Sequence, residues 1–305
     1  MKSCHASKSA AQLSILLAGL LTTLASAPAI ADPPMPAAPL DRIPQGILDQ
    51  MTDSTKAIGF PGLKWPGPRV TVAFNGGDPS IYPLIEAAAS EWTSQGGSLT
   101  LSFKRADGTW RTWSESDLTR AADIRIGFFT DPQRDGYWSA VGLLARRVNA
   151  AEPTMNYGNL KTLLLPFKNG ANPQGWRNSY SHSVILHEFG HALGLSHEHF
   201  HPKCQADLKL QNAVYWLMGA PNSWTYQQAL FNMDWPTYLN AMKSQAGTLT
   251  VSSSPNSDRA SVMLYSFKDS FYKTGAASPC RPSGPSGYAT ELSAQDRAYY
   301  LANYR

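Results

Sequence analysis

Histidines at a fixed spacing in residues 187–197 restrict this chain more than any other feature. The stretch reads His-Glu-Phe-Gly-His-Ala-Leu-Gly-Leu-Ser-His. Residues four apart share one face of a helix, so His187 and His191 are expected to lie side by side. Gly194 accepts a left-handed conformation, which ends the helix and lets the chain bend back. His197 then approaches the same point from another side, and the pattern predicts a three-histidine metal site.

The ligand set favours zinc. Zinc binds neutral imidazole nitrogen at about 2.0 to 2.1 Å, and three protein ligands leave one position open, which is typical of a catalytic site. Glu188 follows the first histidine and is expected to act as a general base toward water. Six of the seven histidines lie between His182 and His201. His199 and His201 either replace His197, extend a second site or, as we expect, lie at the surface or behind the ligands, and His182 is expected to be structural.

A second segment, residues 261–265, lies well downstream and reads Ser-Val-Met-Leu-Tyr. Together with the histidine pattern, this segment resembles the Met-turn of the metzincin metalloproteases. Glu198, directly after the third histidine, makes the pattern most similar to the astacin-like branch. The resemblance implies that Met263 forms an apolar floor beneath the ligands. It also implies that Tyr265 either coordinates zinc or, after swinging away, stabilises the oxyanion.

The same resemblance implies a fold and a reaction. The implied fold is an α+β, metzincin-like catalytic domain with a twisted mixed sheet, a covering helix, an active-site helix and a loop-rich C-terminal half. The implied activity is that of a zinc-dependent endopeptidase, in which Glu188 is the general base for a zinc-activated water. The alternative is a secreted zinc-binding adhesion or interaction protein on the same fold, without general proteolysis. In astacins the mature N-terminus pairs with the residue at the position of Glu198, but this sequence does not identify its own mature N-terminus.

Local patterns agree with such a domain. Alternation and apolar spacing predict strands at Arg69–Phe74, at Leu99–Phe103, at Ala122–Phe129 and within Met155–Leu165, and helices from Ile81 to Trp92, at Ser183–Leu195, around Trp235–Met242 and at Ser293–Asn303. In the third strand, alternation predicts Ile124 and Ile126 on one face and Arg125 on the other. The resemblance implies that this strand is an edge strand that binds an extended substrate peptide.

The N-terminal part resembles a secretory signal peptide. A positively charged start precedes an apolar stretch and the small-residue motif Ala29-Ile30-Ala31, with Ala25-Ser26-Ala27 as a second candidate for cleavage. A membrane anchor is the alternative, but the apolar stretch is shorter than the roughly 20 residues that span a bilayer. The expected organisation is therefore a signal peptide at 1–31, a flexible leader or propeptide at 32–63 and a zinc metallopeptidase catalytic domain at 64–305. We expect a secreted protein, either extracellular or periplasmic.

Cysteine content and charge are consistent with export. Cys4 leaves with the signal peptide, and the remaining pair, Cys204 and Cys280, either forms one disulfide or stays as two thiols. The formal net charge is only +4, and Lys and Arg never run for more than two residues, so nucleic acid and membrane surfaces are not expected partners. We expect a monomer that acts on a protein or peptide substrate.

Overall fold

The computed structural model describes residues 61–220, 222–244, 255–284 and 287–305. The predicted signal peptide, and all of the predicted leader except its last three residues, lie outside these ranges. Within the ranges, none of the helices combines the length and the apolar character that crossing a membrane requires.

Five strands form one mixed sheet in the order β2-β1-β3-β5-β4. The strands are β1 at Arg69–Phe74, β2 at Thr100–Ser102, β3 at Ile124–Gly127, β4 at Tyr137–Ser139 and β5 at Met155–Tyr157. β1 runs parallel to β2 and β3, β3 runs parallel to β5, and β4 is antiparallel to β5. The predicted mixed sheet is confirmed.

Nine helices are described. They are α1 at Tyr82–Thr93, α2 at Leu160–Leu164, α3 at Pro173–Arg177, α4 at Tyr180–Ala192, α5 at Pro202–Asp207, α6 at Leu210–Met218, α7 at Tyr226–Met233, α8 at Trp235–Ser244 and α9 at Ala294–Asn303. Residues 200–244 are thus more helical than the sequence indicated, and the loop-rich part is the described chain between 255 and 293.

The covering helix and the active-site helix lie against each other in one apolar core. The predicted stripe of α1, from Ile81 to Trp92, is buried. Trp92 Nε1 donates to the carbonyl oxygen of Leu186 in α4 at 2.9 Å. Trp65 Nε1 donates to Ala192 O, the last carbonyl of α4, at 2.8 Å. Indole groups therefore fix the middle and the end of the helix that carries the first two histidines.

The prediction of an edge strand at Ala122–Phe129 is wrong. The strand there is the shorter β3, which lies between β1 and β5 and pairs with both, so its backbone has no open side for a substrate. The two edges are β2 and β4. All four residues of β3 are buried, so both faces of this strand are covered.

Arg125 is a charged residue that is fully buried in the central strand β3. Its guanidinium donates to the carbonyl oxygens of Ala122, Val148, Asn149 and Glu152 at 2.8 to 3.3 Å. Burial lowers the pKa of Arg125 to about 10, so the group stays charged at neutral pH. The arginine therefore links the chain before β3 to the loop at residues 148–152, and it is not part of the histidine cluster.

Candidate metal centre

The first two histidines lie on the active-site helix α4. The helix starts three residues earlier than predicted because the Ser179 side chain caps it by accepting from the backbone N–H of His182. His187 and His191 are buried, and their ring centroids are 4.8 Å apart. Because they are four residues apart in a regular helix, they point to the same side, as predicted.

Each of these rings is held by a backbone carbonyl. His187 Nδ1 lies 2.7 Å from Val262 O, and His191 Nδ1 lies 2.8 Å from Leu195 O. A carbonyl oxygen only accepts, so Nδ1 carries the proton in both rings and Nε2 keeps its lone pair. This tautomer is the one that a metal-binding histidine needs.

Gly194 brings the third histidine back to the other two. Its φ of +98° is in the left-handed region that favours glycine. The turn is closed by a hydrogen bond from Leu195 N to Gly190 O at 3.0 Å. His197 then lies with its Nε2 atom 3.1 Å from His191 Nε2.

The donor set fits a metal ion. One nitrogen from each of the three histidines lies within 4.8 Å of the others, and all three residues are buried. Two ligands at the usual zinc–nitrogen distance in a tetrahedral site are about 3.3 Å apart. The His191–His197 separation of 3.1 Å is close to that value, so the spacing of these two nitrogens suits a shared metal ion.

Glu188 is completely buried beside the first histidine. Tyr157 in β5 is a neighbour of this carboxylate: burial, and in addition the charge of Glu188, raise the pKa of the Tyr157 hydroxyl well above its ordinary value. The Glu188 carboxylate is therefore enclosed by the protein next to His187.

Met263 packs against the active-site helix as the resemblance implies. A Cβ atom added to Gly190 would overlap with Met263 Sδ and lie 3.1 Å from Trp92 Cζ2. Only glycine therefore lets Met263 approach α4 between the two histidines. The backbone oxygen of Met263 also accepts from Glu198 N at 2.9 Å, which links this segment to the chain after His197.

Tyr265 lies among the histidine rings. Its ring centroid is 4.3 Å from that of His197 and 5.9 Å from that of His187. The His199 ring stacks on the Tyr265 ring at 4.6 Å, with 19° between the ring planes, and also lies 5.0 Å from the His197 ring. The Tyr265 ring therefore lies close to the three-histidine group.

The structure also places the remaining histidines. His199 is buried, and its Nε2 donates to Asn232 O at 2.8 Å, so it lies outside the metal-binding group although its ring stacks on that of His197 at 5.0 Å. His201 is buried too and accepts from Lys203 N at 3.2 Å, which caps α5. The surface position is wrong for both residues, and the position next to the ligands is confirmed for His199 alone. His182 is structural as predicted, since its Nε2 is hydrogen-bonded to the Glu91 carboxylate at 2.8 Å. It lies inside α4, however, and not before the start of that helix.

Glu198 reaches into a buried acidic group that the sequence did not indicate. Its Oε1 accepts from Asp258 N at 2.8 Å. Burial, and then the charges of Asp258 and Asp296, raise the pKa of Glu198 to about 7. Asp296 in turn accepts from Ser261 Oγ at 2.7 Å and from Val262 N at 3.1 Å, so it holds the segment whose carbonyl bonds His187. In the sequence, the only indication of this group was Asp296, which lies three residues after Ser293, the first residue of the predicted last helix.

Cys204 and Cys280 form a disulfide, with their Cα atoms 5.3 Å apart. This bond joins α5 to the loop after residues 261–265. Both sulfurs belong to a second apolar cluster that also contains Tyr265, so the disulfide supports the side of the site that carries the phenol.

The fold and the three-histidine cluster match those of the astacin-like metzincin zinc metalloproteases. A structure of myroilysin is similar to this chain with a TM-score of 0.54 and 26% identity, over 79% of this chain and 95% of that one. A second myroilysin crystal structure matches with a TM-score of 0.47 and 22% identity over 88% and 99% of the two chains. A hatching enzyme zinc-protease, high choriolytic enzyme 1 of the medaka fish Oryzias latipes, matches with a TM-score of 0.40 and 14% identity over 79% and 94%. The sequence matches no protein-family model and no curated protein sequence.

The predicted class, an astacin-like zinc metallopeptidase, is confirmed by the first of these similarities together with the histidine cluster. The predicted fold class is confirmed as well.

Proposed function

We propose that this chain is a secreted zinc-dependent endopeptidase in which His187, His191 and His197 hold the zinc ion and Glu188 is the general base. The observation that carries the proposal is the convergence of three buried histidines beside a fully buried glutamate. A purely structural zinc site usually has four protein ligands and has no use for a base.

A zinc ion bound by the three histidines supplies Lewis acidity, which activates water and polarises the scissile carbonyl group. Glu188 accepts a proton from the attacking water on its carboxylate. It then delivers that proton to the nitrogen of the departing amine, so that the bond to the carbonyl carbon breaks and an amine leaves. The complete burial of Glu188 excludes other water molecules from this exchange.

Tyr265 supplies a hydroxyl donor on the same side of the site. Negative charge develops on the carbonyl oxygen during attack, and a donor that is already in place stabilises it without reorganisation. The stacked His199 ring and the disulfide-linked cluster behind Tyr265 limit how far the phenol moves. Met263 and Gly194 are assigned supporting roles, beneath the ligands and at the turn before His197.

The proposal includes export and a single catalytic domain. The Cys204–Cys280 disulfide supports an oxidising compartment, since disulfides are rare in the cytosol. We assign residues 1–31 to a signal peptide, 32–63 to a leader or propeptide and 64–305 to the catalytic domain, acting as a monomer on protein or peptide substrates. Leu63 is already buried in the main core, so the packed part of the chain begins close to the proposed boundary.

Hydrolysis of a denatured protein by the purified protein tests the proposal. We expect cleavage in the presence of zinc, loss of cleavage when a zinc chelator is added, and recovery when zinc, but not calcium, is added back. Cleavage that continues after the metal has been removed would refute the proposal. Stoichiometric zinc without any cleavage would favour a zinc-binding adhesion or interaction protein on this fold.

A further inference from the structure

The sheet has a second face that α1 and α4 do not cover. Val70 and Val72 of β1 and Ile124 of β3 belong to the same apolar core as those two helices. Successive side chains of a strand point to opposite faces, so Arg69 and Thr71 lie on the other side of the sheet. The sheet itself therefore separates this second face from the histidines of α4.

The second face is open where β1, β2 and β3 begin. The open part, which we call the outer strip, consists of residues that are all at least partly exposed: Arg69, Thr71, Thr100, Ser102 and Asp123. β1 and β2 are parallel, and Arg69 lies beside Thr100. Thr71 lies between Ser102 of β2 and Asp123 of β3, and its Oγ1 donates to Asp123 Oδ2 at 2.8 Å. The outer strip thus crosses three neighbouring strands, a width of about 10 Å between the outermost backbones.

Two arginines lie at the β2 end of the outer strip. Arg69 Nη2 donates to Ser102 Oγ at 2.7 Å, and this hydroxyl donates to the carbonyl oxygen of Lys104 at 3.4 Å. Arg111 Nη2 donates to the same carbonyl oxygen at 3.3 Å, so the two guanidinium groups lie within about 10 Å of each other. Arg111 Nε is buried and has no hydrogen-bond partner among the described residues. Lys104 pairs with Glu86 at 2.9 Å and so adds no net charge.

Positive charge exceeds negative charge on the outer strip. At its β3 end, the exposed Arg146 pairs with Asp123 Oδ1 at 3.2 Å. Within the described chain, neither Arg69 nor Arg111 forms an ion pair with a carboxylate. Three guanidinium groups therefore surround one carboxylate, which leaves a surplus of two positive charges. These arginines come from three separate segments, so no run of basic residues in the sequence indicates them.

We propose that the outer strip binds a sulfated polysaccharide. The inference goes beyond the proposed peptidase activity and depends on the proposed function only through export, which makes an extracellular polymer the accessible polyanion. Arginine offers a forked pair of N–H donors to an oxyanion, and clustered cations attract a polyanion over several ångströms. The hydroxyl groups of Thr71, Thr100 and Ser102 both donate and accept, which suits the hydroxyl groups of a sugar chain. A polymer bound there leaves the metal centre, across the sheet, open to substrate.

Titration with fluorescent heparin, a sulfated polysaccharide, tests the proposal. The Glu188→Gln protein is used so that self-cleavage does not interfere. In this background Arg69→Gln with Arg111→Gln is expected to weaken heparin binding about tenfold at low salt, because each partly exposed ion pair contributes up to about fivefold. The slope of log K against log salt concentration is expected to fall by about one for each arginine removed. Arg297→Gln, at an exposed arginine of α9 away from the outer strip, is the matched control and is expected to change binding less than about twofold.

Two further variants distinguish a lost charge from a damaged fold. Arg69→Lys with Arg111→Lys keeps both charges and is expected to keep the salt slope. Arg69→Glu changes only an exposed position and is expected to weaken binding as much as the double glutamine variant. Urea midpoints are compared for every variant, and Arg69→Glu decides the result if substitution of Arg111 unfolds the protein.

The identity of the polymer is tested with two competitors. Chemically desulfated heparin is expected to bind at least about tenfold more weakly than heparin, since it lacks the groups that the arginines contact. Equal binding of these two polymers, or unchanged heparin affinity in the Arg69→Glu protein, would overturn the proposal. Tighter binding of a DNA duplex with the same number of charges would also overturn it, in favour of a nucleic-acid surface. Binding requires neither zinc nor proteolysis, so the outer strip and the peptidase function stand or fall separately.

Discussion

Replacing Gly190 by alanine tests the contact between the active-site helix and Met263. The new methyl group would overlap with Met263 Sδ and press on Trp92, and both side chains are buried. Forcing an extra methyl into a packed core costs about 1 to 3 kcal/mol. Alanine stabilises a helix interior by about 0.5 to 1 kcal/mol relative to glycine, which offsets part of this cost. We therefore expect Gly190→Ala to lower the free energy of unfolding by about 1 kcal/mol, and by about 2 kcal/mol if the loop cannot relax.

Shortening Met263 is expected to remove the destabilisation that Gly190→Ala causes. In a Met263→Ala background the overlap with Met263 Sδ is removed and only the 3.1 Å contact with Trp92 Cζ2 remains, so Gly190→Ala is expected to be close to neutral or to stabilise the protein by up to about 1 kcal/mol through helix propensity. Urea unfolding of the four proteins of this cycle, all free of metal, gives the coupling energy, which we expect to be about 1 to 3 kcal/mol. Gly219→Ala is the control, since its nearest neighbours would lie at 3.5 and 3.7 Å and no cost is expected there. A Gly190→Ala protein as stable as wild type, with no coupling to Met263, would refute the packing.

Three further predictions concern the surroundings of the site. Reducing the Cys204–Cys280 bond, which spans 76 residues, or replacing both cysteines by serine, is expected to cost about 2 to 5 kcal/mol of unfolding free energy, and an unchanged urea midpoint would contradict this. The pKa of Glu198 is raised to about 7 in the folded protein, so its contribution to stability is fully present below about pH 4.5 and is lost as the pH rises to about 7. Glu198→Gln should abolish this loss of unfolding free energy with rising pH, which amounts to at most about 3 kcal/mol. Parallel profiles of unfolding free energy against pH for the two metal-free proteins would show that the Glu198 carboxyl group does not titrate in this range. Tyr265→Phe keeps the ring but loses the donor, so kcat is expected to drop about 10- to 100-fold with zinc content unchanged, whereas an unaltered kcat would remove the hydroxyl from the mechanism.

The metal centre could be predicted from the sequence because its information is local. A helical spacing of four residues, a glycine and a third histidine fix the relative positions of His187, His191 and His197 with little help from the rest of the chain. The covering helix and the last helix were predicted for the same reason, since apolar periodicity and a serine cap are read over about ten residues.

Several of the errors concern contacts between distant segments. The sequence of β3 carries no sign of which strands lie beside it, so its central position was not foreseen. The burial of Arg125 was not foreseen because its partners are backbone carbonyls, which leave no trace in the amino-acid pattern. His199 and Asp296 were misplaced or missed because their burial depends on segments more than thirty residues away.

The central claim is that three histidines hold zinc while Glu188 carries out the proton transfer, and one comparison tests it most directly. Zinc content and hydrolysis of a denatured protein are measured on the same preparations of wild type, Glu188→Gln and His191→Ala. We predict one zinc per chain in both wild type and Glu188→Gln, activity in wild type alone, and neither zinc nor activity in His191→Ala. Full activity in Glu188→Gln would contradict the assigned base, and stoichiometric zinc in His191→Ala would contradict the assigned site.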